Sequence, residues 1–248
     1  MMKTEKRLSR DSSSDPLYER LYLILAALFI AALVACNLIF QKFFTWELSI
    51  FGWQHTFQLS VGILPYPLTF LVTDILSEIY GRERATRVVT SGLFASCFVL
   101  GLIFVADVVP AASWSPVDEA TFSRVFGLSW VAVTASMAAY LVAQYMDIRF
   151  FLFWRRLTRG RHLWLRNNAS TISSQVLDTA VVNGLLVVMG AAGMTWSRFP
   201  ELFWNGVLFK WVVALADTPL FYAAVLFLRK RFPLEVADVE KEEQIVSS

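Results

Sequence analysis

Charge is scarce in this sequence. Charged residues make up 17% of the 248 positions, against about 25% in soluble domains. There are two histidines and two cysteines. Cys36 and Cys97 both sit inside apolar runs, which speaks against a disulfide staple or a cysteine metal cluster. His162 lies among arginines, and no histidine-rich metal motif exists. No Walker-type loop is present, so the chain does not hydrolyse ATP itself. The Gly-x-Gly-Asp signature of an intramembrane protease is also missing. Net charge is only +2, so no nucleic-acid partner is implied. Long polar stretches are lacking, and with them a separate soluble domain.

What the sequence has instead is apolar length. Hydrophobic residues reach 56%, and mean hydropathy is +0.54. A membrane-spanning helix needs about 20 mainly apolar residues. Six such runs occur, at 21–40, 61–80, 88–109, 125–146, 169–191 and 202–228. Leu33-Val34-Ala35-Cys36 has the look of a lipoprotein cleavage site. The apolar run continues past Cys36 and five more follow, so a first membrane helix is the better reading. Lysine and arginine give the orientation. Eighteen fall in the two tails and in the loops after the second and fourth runs; three, Lys42, Arg124 and Arg198, fall on the other side. The expected fold is an all-α membrane protein of six helices with both termini cytoplasmic.

Between the first two runs, residues 44–60 alternate apolar and polar side chains around Gly52, the pattern of a small hairpin on the outer surface. His55 lies there without an assigned role. The expected division is a cytoplasmic tail over 1–20, a membrane domain over 21–231 and an acidic, disordered tail over 232–248. Gly92, Ser96 and Gly101, and Ala135, Ala139 and Ala143, form small-residue stripes. A homodimer interface and packing within the chain account for them equally well.

Ionisable groups inside these runs need an explanation. Each costs roughly 2.5–3.5 kcal/mol at mid-bilayer on insertion scales, and such groups usually mark substrate or ion pathways. Asp74 and Glu78 lie in the second run, Asp178 in the fifth, and Lys210 and Asp217 in the sixth. Counting about 1.5 Å per residue puts Asp74, Asp178 and Asp217 within about 5 Å of mid-span. Asp74 and Glu78 share a helix face, as do Lys210 and Asp217. Ser174 and Gln175 stack within a turn of Asp178. Lys210 could neutralise one acid, and Ser174, Gln175 and Asn183 could bond another. At least two acids remain, which favours a shared polar cavity. Asn37 faces it from the outer side, with Gln41 one turn on. Pro65-Tyr66-Pro67 reads either as an interrupted helix of transporter type or as a simple helix start. Asp74 and Asp178 also occupy matching middle spans of what would be an inverted repeat.

At these residues the sequence resembles the queuosine precursor transporter family, also called the vitamin uptake transporter family. The carrying blocks are Pro67-Leu68-Thr69-Phe70-Leu71-Val72-Thr73-Asp74 with Ser77-Glu78-Ile79-Tyr80-Gly81-Arg82, then Ser170-Thr171, Ser174-Gln175 and Asp178-Thr179. Lys210, Asp217-Thr218-Pro219 and Tyr222 match the last helix, and Asn37 and Lys42 the first. One departure is Val181-Val182, where the family has an aromatic residue. The resemblance implies a bacterial inner-membrane importer of 7-deazapurines: preQ0, preQ1 or queuine. No metal or cofactor goes with it. The residue chemistry agrees with it, and we assign Asp74, Glu78 and Asp178 to contact with the base and Asp217 to a pair with Lys210. Ser174, Gln175 and Asn37 complete the site, and Tyr66, Phe70 or Trp211 offers a stacking face. The cationic aminomethyl group of preQ1 would be drawn to surplus buried carboxylates. The competing readings are an importer of another vitamin-like solute with a separate energising subunit, an intramembrane aspartate enzyme, and a purely structural membrane subunit.

Overall fold

The computed structural model describes residues 16–50, 52–158 and 163–232. Helix α1 spans Pro16–Leu38, with proline in the first turn, where its missing N–H costs nothing. Strands β1 (Phe43–Ile50) and β2 (Trp53–Ser60) follow, then a 3-10 turn over Val61–Ile63. Helix α2 is Tyr66–Tyr80 and α3 is Arg82–Val108. A short α4 (Glu119–Phe126) precedes α5 (Ser129–Leu157). Helix α6 is Leu163–Val188 and α7 is Phe199–Arg231.

Among the described residues, five helices are long and apolar enough to cross a membrane. The expected fifth run corresponds to α6, whose described apolar part, Ile172–Val188, is shorter than the other five. The expected fourth run is divided. Asp118 caps α4 by accepting from the Thr121 N–H at 2.7 Å, and the chain restarts as α5 at Ser129 after Gly127. The two terminal tails lie outside the described residues, apart from the start of α1 and Phe232, as do Arg159, Arg161 and His162.

The double-proline segment is a helix start, not an interruption. Pro67 occupies the first turn of α2, and the Thr69 N–H reaches the Pro65 carbonyl at 3.4 Å. Gly81, at φ +83°, ends α2 and lets α3 begin one residue later. A side chain there would be strained by the positive φ.

The alternation over 44–60 does make an antiparallel hairpin, paired from Phe43↔Ser60 to Ile50↔Trp53 around Gly52 at φ +83°. Its Trp46 ring stacks on Phe57 at 5.6 Å and meets Phe209 of α7 edge-on at 6.4 Å. Phe57 and Leu59 are buried beneath the hairpin against Phe209. Period-two patterning thus fixes which face of the hairpin rests on α7.

Two further clusters hold the helices. At the end away from the hairpin, Tyr18, Leu76, Ile79, Tyr80, Val88 and Leu228 join α1, α2, α3 and α7. There Tyr18 Oη donates to the Ile79 carbonyl and Tyr80 Oη to the Tyr18 carbonyl, each at 2.9 Å. On the hairpin side, Val131, Ala132 and Ala135 of α5 pack on Leu186 and Val187 of α6. Ala135 and Ala139 are fully buried within the single chain, so their small size serves helix packing there. Gly92 does the same for α3. A Cβ at that position would stand 2.9 Å from Leu33 and 3.0 Å from Phe29 of α1.

Candidate binding cavity

The site begins with three residues that the fold brings together from distant sequence. Asp178 lies on α6, Lys210 on α7 and Tyr66 at the start of α2. Lys210 Nζ donates to Asp178 Oδ2 at 2.7 Å. Tyr66 Oη donates to the same oxygen at 3.3 Å. The Lys210 ammonium also lies 4.4 Å from the centre of the Tyr66 ring, within cation–π range. The Lys210 side chain is 7% exposed and that of Asp178 19%. Both described hydrogen bonds to the carboxylate go to Oδ2, which leaves Oδ1 as a spare acceptor.

Helix approach makes this possible. At Gly206 of α7, an added Cβ would stand 3.1 Å from Thr179 Cγ2 of α6. Asp178 adjoins that threonine, and Lys210 lies one turn from the glycine. Asn205, also buried, ties the hairpin to α7: its Oδ1 meets His55 Nε2 at 2.9 Å. Its Nδ2 reaches the Gln58 carbonyl at 3.5 Å.

Tyr66, Asp178, Thr179, Gly206 and Lys210 line a cavity of about 170 Å³ between α1, the hairpin base, α2, α5, α6 and α7. A protein cavity of roughly 150 Å³ already holds benzene, so there is room for one small ring system. Asn37, Ser136 and Asn183 add amides and a hydroxyl to the wall, and Gln58 and Ser60 add polar groups from β2. Ser136 Oγ donates to Asn37 Oδ1 at 2.9 Å, and Asn37 Nδ2 donates to the Leu33 carbonyl at 3.2 Å. That fixes which way the Asn37 amide points. Phe40, Phe43 and Tyr66 supply aromatic surface. Val182 lines the wall beyond Asp178 and makes it aliphatic.

The sequence-predicted residues therefore divide. Asn37, Tyr66, Asp178 and Lys210 line the cavity. Phe70 lies behind it, its ring 4.4 Å from that of Tyr66. Ser174 and Gln175 are half-buried on α6, one turn from Asp178, and are not among the lining residues. Trp211 is 38% exposed and does not line it either. Asp74, Glu78 and Asp217 are elsewhere, farther from the hairpin on α2 and α7. Asp74 and Asp217 are close enough for their charges to interact. Glu78 forms an ion pair with Arg229.

Two expectations are thereby corrected. Lys210 pairs with Asp178, not Asp217. Residues 210 and 217 share a helix face but are two turns, about 10 Å, apart along it. The second correction concerns depth. Asp178 meets Tyr66, eight residues or about 12 Å up α2 from Asp74. The three aspartates do not share one level, because the helices are staggered.

Sequence reasoning missed Ser136 and Gln58. Ser136 sits inside the alanine stripe of α5, and its neighbours gave it a packing explanation. Gln58 belongs to the hairpin, which alternation identified without revealing that its base closes over a cavity.

Long apolar helices around a cavity lined by a partly buried ion pair mark a multi-pass membrane protein. Within that class, the chain belongs to the family described as "Putative vitamin uptake transporter", whose pattern matches residues 60–224. It is 27% identical over 166 residues to a "Probable queuosine precursor transporter" of Bacillus subtilis (strain 168), covering 66% of this chain and 71% of that protein. It is 29% identical over 131 residues to the "Queuosine precursor transporter" of Escherichia coli (strain K12), covering 53% and 54%. A "Probable queuosine precursor transporter" of Haemophilus influenzae (strain ATCC 51907 / DSM 11121 / KW20 / Rd) is 26% identical over 177 residues, covering 71% and 72%. No solved structure matches. The family and these relatives are transporters, not enzymes.

Proposed function

We propose that the chain imports queuosine precursors, 7-deazapurines such as preQ0 and preQ1 and also queuine, across the bacterial inner membrane, with both termini cytoplasmic. The observation that carries this reading is the Asp178–Lys210 pair in the cavity, joined by Tyr66. A guanine-type ring presents a carbonyl oxygen beside an N–H. A carboxylate oxygen next to an ammonium is the complementary arrangement. The free Asp178 Oδ1 accepts from the ring N–H groups, as carboxylates do from nucleobase donors. Lys210 donates to the ring carbonyl. Tyr66 and the nearby phenylalanines offer the flat face a stacking surface, and Asn37 and Asn183 address the remaining edge.

Phe70, Ser174 and Gln175 support these groups from behind. Asp74, Asp217 and Glu78 continue along the same two helices, α2 and α7, away from the hairpin. In this reading they line the route between the chamber and the arginine-rich side. The hairpin base closes the chamber on the outer side. Every step the chain performs is binding, orientation and exclusion of water; no bond is broken.

The test is rescue of queuosine-modified tRNA in a bacterial strain that can neither make deazapurines nor import them. The chain is expressed, preQ0, preQ1 or queuine is supplied at nanomolar concentration, and tRNA is scored on a boronate gel. Modified tRNA is the expected result. Absence of modification with all three bases, with the protein present in the membrane, refutes the assignment.

A further inference from the structure

Among the residues that line the cavity, only Asp178 and Lys210 carry formal charges at neutral pH. They neutralise each other at 2.7 Å. The chamber is therefore polar but has no net charge. We propose that Lys210 is a specificity-determining residue: by holding Asp178 as a neutral pair, it makes the chamber select uncharged lactam-bearing solutes over cationic ones. This rests on the function proposed above and narrows its substrate class.

The argument is one of desolvation. A solute that carries an ammonium group sheds part of its hydration on entering the cavity, which is costly unless a counter-charge receives it. The one carboxylate in the wall already has its ammonium. If Oδ1 received the solute's ammonium while Oδ2 kept Lys210, whose side chain is 7% exposed, two cations would share one carboxylate and the site would carry a net positive charge. Tyr66 holds the arrangement from both sides, through its hydroxyl on Asp178 and its ring beneath Lys210. An uncharged ring incurs none of this cost. Its N–H meets Asp178 Oδ1 and its carbonyl meets Lys210 without breaking the pair. The acidic residues that could attract a cation, Asp74, Asp217 and Glu78, are not in the chamber wall.

The experiment compares two bases that differ in one substituent: preQ0, with an uncharged nitrile, and preQ1, with an ammonium. Initial uptake of each is measured in cells by mass spectrometry, and the preQ1-to-preQ0 ratio is the readout. Because it is a ratio, it is insensitive to expression level. Wild type is expected to favour preQ0. Lys210→Met leaves the Asp178 charge uncompensated and should raise the ratio on the order of tenfold or more. Asp178→Asn leaves the ammonium alone and should lower it. The exchanged pair, Asp178→Lys with Lys210→Asp, restores neutrality and should return the ratio towards wild type, which covers the case in which a single variant fails to fold. A ratio that is the same in all variants that import refutes the selectivity role and leaves the importer reading standing. A wild type that takes up neither base refutes both.

Discussion

Replacing Gly206 by alanine tests whether the α6–α7 approach builds the site. The new methyl would lie 3.1 Å from Thr179 Cγ2. Ordinary carbon contacts lie at about 3.5–4.0 Å, so the helices must separate by a few tenths of an ångström or Thr179 must turn. Overpacking of this kind costs about 1–3 kcal/mol. Alanine in a helix returns about 1 kcal/mol relative to glycine. The net expectation is a loss of about 0–2 kcal/mol. Thr179→Ser removes the obstructing methyl and keeps the hydroxyl that donates to the Gln175 carbonyl at 2.9 Å. In that background Gly206→Ala should stabilise by about 1 kcal/mol. The coupling between the two substitutions is then about 1–3 kcal/mol. Thermal unfolding of the detergent-purified protein measures it, since each kcal/mol moves the midpoint by about 2–4 °C at this size. Uptake should fall in the alanine variant and recover in the double variant, because separation of the helices stretches the Asp178–Lys210 contact. If the substitution has the same effect in both backgrounds, the helices are not in contact at this point and the geometry of the site is wrong.

Three shorter predictions follow from other groups. Asp178→Asn or Lys210→Met should each cost about 1–3 kcal/mol in unfolding, less than a fully buried pair because Asp178 keeps 19% exposure, whereas Asp178→Asn with Lys210→Met together should be nearer neutral, because only a broken pair leaves a lone charge. Equal losses in the single and double variants would show that the pair is not coupled. Glu78→Gln should change stability by less than about 1 kcal/mol in the same melts, since its side chain is 39% exposed and that of Arg229 54%. At the start of α4, the hydrogen bonds from Thr121 hold the Asp118 carboxyl below its ordinary value. The cap is thus fully effective above about pH 4 and weakens as pH falls through the lowered value. Amide protection over 119–126, corrected for the intrinsic exchange rate at each pH, should fall in acid in wild type. Asp118→Asn, which caps without titrating, should show no such acid step.

The two halves of the site were readable to different degrees, for one reason. Apolar runs and alternation are local signals, and they located five spanning helices and the hairpin. Asp178 and Lys210 stood out because a charge in an apolar run is anomalous whatever surrounds it. Pairing is not local. Same-face spacing linked Lys210 to Asp217, but two turns of helix put those side chains about 10 Å apart. The residue that meets Lys210 comes from another helix, which approaches α7 closely at Gly206, one turn away. Depth counting failed for a related cause. It assumed that every helix is centred on one plane, whereas α2 begins only at Tyr66, beside Asp178, and α7 runs to 33 residues. Stagger of this kind is set by caps and by where small residues allow contact. Gly206 carried no charge or motif to draw notice, yet it marks the close approach of α6 and α7 one turn from Lys210, where Asp178 and Lys210 form their pair.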